Sequence, residues 1–213
     1  DRVNLIGPLP DSDLHVNEYF LKLSANPVQS QLIDASFRYR DLDQTNADIG
    51  AFDAASTGDN PKEINRVGVF SWFWTATPAL NVEAKFNLND NPSGATPVTP
   101  LGYQPPFDPV NPANVGLYCP PGSSCFGGAS LAINDDSFRR YEYKLTTSYL
   151  ANFLGASHLV KLGANYSDNK ENLKRIANGW GTISVRTSSS DCAGQDPCFR
   201  ARFSPAQPSQ ISR

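Results

Sequence analysis

Apolar and polar residues alternate with a period of two along several segments of the chain. The clearest is LNVEAKFNL, in which Leu80, Val82 and Phe86 alternate with polar residues such as Glu83 and Lys85. Because successive side chains of a β-strand point to opposite faces, this period predicts strands with one apolar and one polar face. The pattern predicts six strands, near residues 17–26, 31–42, 65–76, 80–89, 139–151 and 158–168.

The third of these segments does not follow the alternation. RVGVFSWFWTA is apolar on both faces, with Val69 and Phe73 on one side and Phe70 and Trp72 on the other. Its period therefore predicts a strand but leaves its orientation open.

The connections between the strands alternate in length. Three are short and contain Pro or Gly: NPVQS, TPA and FLGAS. The others are long, over residues 43–64, 90–138 and 169–213, and a helical turn near 169–175 is a possible decoration of the last. All short turns should therefore lie at one end of the sheet, which is typical of outer-membrane barrels and unusual for a soluble sandwich.

The polar faces carry charged residues in the middle of the strands. A dry core would require each charge to be paired, whereas a hydrated lumen accepts them. These side chains could line a solute path or pair across strands. The candidates for the lumen-facing set are Lys22, Arg38, Arg40, Glu83, Lys85, Glu142, Lys144 and Lys161.

The apolar faces end in aromatic residues. Tyr19 and Tyr39 do so in one hairpin, and Tyr141, Tyr149 and Tyr166 in another. Amphipathic rings are expected at a membrane interface, although Tyr is also an ordinary strand residue. Few charged residues (18%) and many aromatic ones (11%) fit a wall that meets something other than water.

Composition also narrows the partners and the origin of the chain. The net charge of -3 argues against nucleic acid as a partner. The chain has no apolar run long enough for a membrane-spanning helix, and its first residues do not resemble a signal peptide. It also contains no Met, so we expect a mature product or an internal segment.

The four cysteines form two C-x5-C motifs, Cys119 with Cys125 and Cys192 with Cys198. Both lie in segments rich in Pro, Gly and Ser, and the spacing predicts two small disulfide loops rather than a zinc site. Free thiols and crossed pairings remain open. Disulfides would place these loops in an oxidising compartment.

Few residues suggest other chemistry. Asp41, Asp43, Asn46 and Asp48 supply oxygen atoms at short spacing, but the regular spacing of a calcium loop is missing, so solvated loop acids are the preferred interpretation. No catalytic motif is present, and the neighbours Ser157 and His158 should point to opposite faces. We therefore expect neither an enzyme nor a cofactor.

Two segments resemble a known family. NEYFLKLSANPVQSQLIDASFRYRD and HLVKLGANYSDNKENLKRIANGW are similar to the barrel of TonB-dependent outer-membrane receptors, in particular the Oar-like type. A strand of the form H-x-L-K-x-G-x-x-Y follows a periplasmic turn in that family. Here His158, Val160 in place of Leu, Lys161, Gly163 and Tyr166 match it. The likeness covers most of the strands and little of the loops.

The resemblance implies a 22-stranded barrel that encloses an N-terminal plug and imports a solute with energy relayed by TonB. Neither a plug nor a TonB box is present in this sequence, so about a quarter of a barrel is expected. Its partners would be outer-membrane lipid, the remainder of the barrel and plug, and TonB, and its location the bacterial outer membrane. The solute is unknown.

The sequence therefore predicts an all-β, antiparallel, up-and-down segment of a transmembrane β-barrel, with short periplasmic turns and long extracellular loops. Two alternatives stay open. One is a secreted all-β binding module, an adhesin or carbohydrate-binding domain, in which Trp72, Trp74 and Trp180 would stack on sugar. The other is a structural subunit of a larger membrane assembly.

Overall fold

The computed structural model describes residues 8–100, 124–130, 132–177, 182–186, 198–202 and 208–212. A single-turn 3-10 helix lies at Ala55–Thr57. The strands are β1 (Leu14–Ala25), β2 (Gln31–Gln44), β3 (Asp59–Thr77), β4 (Leu80–Pro97), β5 (Ser124–Gly128), β6 (Ala132–Phe153), β7 (Ala156–Ala177), β8 (Thr182–Arg186), β9 (Cys198–Arg202) and β10 (Pro208–Ser212).

The strands form two antiparallel sheets. The large sheet has the order β1-β2-β3-β4-β6-β7-β10 and is not closed, and the small one has the order β5-β8-β9. Sequential long strands are therefore neighbours, as in an up-and-down wall. The prediction of an all-β antiparallel fold is confirmed.

The large sheet is a single layer without a core of its own. Among residues whose burial is described, only Ala47 and Ala129 are buried apolar residues. On the sheet itself, the side chain of Leu21 is 69% exposed and that of Leu162 is 70% exposed. A β-sandwich would bury one face of each sheet against the other. The described part of the chain lacks that arrangement.

The strands extend beyond the predicted segments. β3 begins at Asp59, β4 continues to Pro97 and β6 begins at Ala132, so parts of the expected long loops are strand. The prediction of a helical turn near 169–175 is wrong, because these residues belong to β7. Both faces of these extensions are mostly polar, which hides the period of two that marks a half-buried strand.

The three short turns lie at one end of the large sheet, at residues 26–30, 78–79 and 154–155. The last is a two-residue turn in which Leu154 has φ 52° and Gly155 has φ 75°. Positive φ at both positions marks a type I′ hairpin, whose twist matches that of the strands. Leu154 is poorly suited to this turn, because a left-handed backbone brings its Cβ too close to the following carbonyl oxygen.

Replacing Leu154 with Asn should stabilise the protein by about 1 kcal/mol, because Asn tolerates the left-handed backbone. The free energy of unfolding of the full-length protein, measured by denaturant titration, checks this. Leu154→Ala is the control, since it removes the exposed apolar atoms but lacks the polar side chain that lets Asn adopt a left-handed backbone. An equal gain in both variants would contradict the backbone explanation.

Candidate functional site

The strand register assembles one continuous apolar surface, which we call the apolar belt. Directly opposed residues of neighbouring strands share a face, and the pairs Leu21 with Phe37 and Phe86 with Tyr143 exemplify the match. The belt consists of Tyr19, Leu21, Leu23, Ala25, Ile33, Ala35, Phe37, Tyr39, Gly68, Phe70, Trp72, Trp74, Leu80, Val82, Ala84, Phe86, Leu88, Tyr141, Tyr143, Leu145, Thr147, Tyr149, Val160, Leu162, Ala164 and Tyr166.

The register also settles the orientation of β3. Trp72 pairs with Ile33 on one side and Ala84 on the other, which places it in the belt. Val69 and Phe73 therefore lie on the opposite face. Trp72 stacks on Trp74 with ring centroids 5.7 Å apart, and its indole N–H donates to the side chain of Gln31 at 3.4 Å.

Aromatic residues lie at both ends of the belt on β6 and at one end on β1, β2, β3 and β7. On β6, Tyr141 and Tyr149 are its first and last members, which makes nine residues, and the rings of Tyr19 and Tyr39 lie 6.2 Å apart at the end away from the turns. A β-strand that crosses a bilayer needs about 9–11 residues and is flanked by aromatic girdles. The belt spans nine residues on β4 and β6 and seven on β1, β2, β3 and β7, so two of its six strands reach that length.

The belt runs obliquely across the sheet. The row of paired residues that starts at Tyr19 on β1 passes through Tyr39 and ends at Lys170 on β7, four residues beyond Tyr166. The boundary therefore moves by about 13 Å over about 24 Å of sheet, a strand tilt of roughly 30°. Strands of closed membrane barrels tilt by about 35–45°. The belt thus has nearly the slope of a barrel wall.

The opposite side of the large sheet, which we call the polar face, carries the predicted charges. The register places all eight candidates there, namely Lys22, Arg38, Arg40, Glu83, Lys85, Glu142, Lys144 and Lys161. Whether this face encloses a lumen stays a prediction, because the sheet is open. What the register establishes is that these side chains share one surface.

Several charges on the polar face are paired. Arg38 donates two hydrogen bonds to Glu18, at 3.0 and 3.1 Å. Lys85 lies 2.6 Å from Glu83 on the same strand. Both pairs are exposed, so they orient the side chains more than they stabilise the fold.

A cluster that the sequence did not reveal lies at the border of the belt. Asp90 is 7% exposed and accepts hydrogen bonds from Arg66 at 2.8 Å and Arg139 at 3.0 Å. Arg66 also lies 6.0 Å from the centre of the Tyr39 ring. Burial alone would raise the pKa of Asp90, but the two arginines outweigh burial and lower it. The cluster joins β3, β4 and β6 where the belt ends.

Two of the four calcium candidates, Asp43 and Asn46, contact other groups of the protein. Asp43 lies 2.8 Å from Lys62, whose pKa it raises by hydrogen bonding and by charge. Asn46 donates its side-chain amide to the backbone oxygen of Asp11. The described residues contain no group of three or more His, Cys, Asp or Glu that could hold a metal ion.

The cysteines are only partly placed. Cys119 and Cys192 lie outside the described residues, and of Cys125 and Cys198 only the backbone is described, on β5 and β9. β8 lies between these two strands, which sets them about 9–10 Å apart. A disulfide needs Cα atoms within about 7 Å, so a bond between Cys125 and Cys198 is excluded. The C-x5-C pairing remains a prediction.

Ser157 and His158 lie on opposite faces of β7. The Ser157 hydroxyl donates to the side chain of Asn152 at 2.7 Å, while the His158 ring stacks on Phe153 at 3.9 Å. The two side chains therefore do not form a nucleophile and base pair.

Searches among known proteins give no relative. No family model, curated protein or solved structure matches the chain. In the part of the chain that is described, no helix is long and apolar enough to span a membrane.

Proposed function

We propose that this chain is a wall segment of a bacterial outer-membrane β-barrel that takes up a solute, of the TonB-dependent receptor kind. The observation that carries the proposal is the oblique apolar belt, which is exposed on one side of a single-layer sheet whose other side carries the mid-strand charges. In water this surface would be far larger than the apolar patches of soluble monomers. The apolar belt would therefore face lipid.

The open edges support a larger assembly. β1 is the first strand of the sheet, and all twelve of its residues are exposed. Its free backbone groups would be unsatisfied in hydrocarbon, so the barrel must be completed by further strands. These would come from the remainder of the barrel. The same edges would serve a structural subunit of a larger membrane assembly, in which case no solute would be transported.

The family assignment within this proposal rests on the sequence resemblance. The segment from His158 to Tyr166 begins three residues after the two-residue turn at 154–155, in line with the family pattern of a strand after a periplasmic turn. A plug, a relay through TonB and long extracellular loops with disulfides belong to the same proposal.

Two neighbouring residues of β7 test which face meets lipid. Leu162 lies in the belt and Lys161 on the polar face. In the full-length protein, reconstituted in vesicles, a fluorophore on Leu162→Cys should be quenched by brominated lipid and little by aqueous iodide. On Lys161→Cys the order should be reversed. The unsubstituted protein gives the background from native thiols.

Strong iodide quenching at both positions would contradict the barrel. A label that cannot reach position 162 at all would indicate a soluble fold in which the belt is buried.

For uptake itself, deletion of the gene for TonB should abolish growth on the limiting solute in cells that depend on this protein. Unchanged growth would leave the barrel and remove the TonB-dependent assignment.

A further inference from the structure

Two lysines face each other across neighbouring strands of the polar face. Lys85 of β4 and Lys144 of β6 are directly opposed in the register. Directly opposed residues of an antiparallel pair have Cβ atoms about 5 Å apart, and like charges at this separation destabilise a sheet.

The carboxylates nearby are already engaged and do not neutralise Lys144. Glu83 lies 2.6 Å from Lys85, and Glu142 lies 3.2 Å from Arg140. Asp34 accepts a hydrogen bond from the Ser24 hydroxyl. Within the described residues, Lys144 has no ion-pair partner, and neither has Lys161 on the adjacent strand β7.

The surroundings of Lys144 offer further donors and free space. Asn165 is its partner in β7, and the hydroxyl of Thr146 follows two residues along β6 on the same face. Thr146 is opposed by Gly163, which carries no side chain and lies between Asn165 and Lys161 on that face. A Cβ at Gly163 would have only ordinary contacts, the nearest at 3.4 Å from the Leu145 carbonyl oxygen. The polar face is therefore open at this point, and Glu83, the carboxylate that opposes Thr146 from β4, is held by Lys85.

We propose that Lys85, Lys144 and Lys161, with Asn165 and Thr146, form an anion-binding site, so that the solute of this barrel carries a carboxylate, phosphate or sulfate group. The proposal rests on the proposed function, because it assigns a solute class to the face that the barrel would enclose. An anion between the lysines relieves their repulsion, and rings of Lys and Arg select anions in other membrane pores. The neutral donors then orient the bound group.

Thermal unfolding of the full-length protein in detergent tests the site. Inorganic phosphate, sulfate and citrate are titrated separately, against sodium chloride at equal ionic strength. A ligand that binds the folded state raises the unfolding midpoint with its concentration. We expect at least one oxyanion to raise the midpoint beyond chloride, and the most effective of the three identifies the chemical group. Equal effects of chloride and all oxyanions would mean screening and overturn the proposal.

The substitution Lys144→Gln has two expected effects of opposite sign. Without oxyanion it should raise the unfolding midpoint, because the repulsion with Lys85 is removed. With oxyanion, the apparent Kd should weaken by at least about tenfold, since a hydrogen bond to a charged group is lost. If another part of the barrel supplied a carboxylate to Lys144, the substitution would instead lower the midpoint and leave oxyanion binding unchanged, which would overturn the site.

Lys22→Gln is the matched control, because it removes one positive charge from the same face on the distant strand β1. If the site exists, this variant keeps the oxyanion response. An equal loss would show that the positive electrostatic potential of the whole face, and not a site, attracts the anion.

Flotation with lipid vesicles separates the two proposals. A protein that floats but ignores oxyanions keeps the barrel and loses the anion site, whereas a protein that binds oxyanions without floating keeps the site and loses the barrel.

Discussion

Leu145→Arg should destabilise the full-length protein in lipid vesicles by about 2–4 kcal/mol, the cost of an arginine at the middle of a bilayer on a barrel's lipid face. Leu145 lies midway between Tyr141 and Tyr149 on the belt, and its side chain is 50% exposed. Because the site already has room, the cost would come from hydrocarbon around the charge and not from a clash. Denaturant titration of the protein refolded into vesicles gives the free energy.

Two other residues of the same strand serve as controls. Thr146 is the next residue, faces the other way and is opposed by Glu83, so Thr146→Arg should change stability by no more than about 1 kcal/mol. Tyr149 lies at the border of the belt. The charge introduced by Tyr149→Arg should therefore lower the free energy of unfolding by only about 0–1 kcal/mol, since the penalty falls toward the interface. A large cost at all three positions would indicate a protein core around β6. A small cost at Leu145 would place the belt in water.

The faces of the strands and their antiparallel order could be predicted from the sequence, but their register could not. Alternation in LNVEAKFNL assigns Val82 and Lys85 to opposite sides without knowledge of any partner. The orientation of β3 needed the register, because only pairing with Ile33 and Ala84 distinguishes Trp72 from Phe73. The slope of the belt likewise exists only once six strands are aligned.

The extensions of the strands were not predicted from the sequence, for a different reason. Beyond the belt the strands are mostly polar on both faces, so residues such as those at 169–175 have no apolar side that repeats. Strand pairing continues there through the backbone, which the side-chain pattern does not report. Sequence reasoning therefore located the part of each strand that the belt covers and took the remainder for loop.

The Arg66, Asp90 and Arg139 cluster had no signal in the sequence. Its members are separated by 24 and 49 residues and meet only because Arg66 and Arg139 both oppose Asp90 in the register. A motif search looks for residues close in sequence and cannot find such a set. The burial of Asp90 identifies it, since a buried carboxylate is retained where it is paired.

Asp90→Asn should lower the free energy of unfolding by about 2 kcal/mol at neutral pH. Loss of one partner from a fully buried ion pair costs about 3–5 kcal/mol, and the partial exposure of the arginine side chains, 38% and 51%, reduces this. Asp135→Asn is the control, because Asp135 is 73% exposed and lies 4.0 Å from Lys174. Its loss should cost less than about 0.5 kcal/mol.

The effect of Asp90 should depend on pH in a defined direction. The pKa of Asp90 is lowered in the folded protein, so its contribution is complete above the unfolded value near 3.9 and is lost as pH falls through the lower folded pKa. Unfolding curves of wild type and Asp90→Asn should therefore differ by a constant amount from pH 8 to about 5 and converge in acid. A difference that persists in acid would assign the loss to packing. If charge pairing is the cause, adding Arg139→Gln to Asp90→Asn should recover part of the stability, because it removes one of the two unpaired cations at the border of the belt.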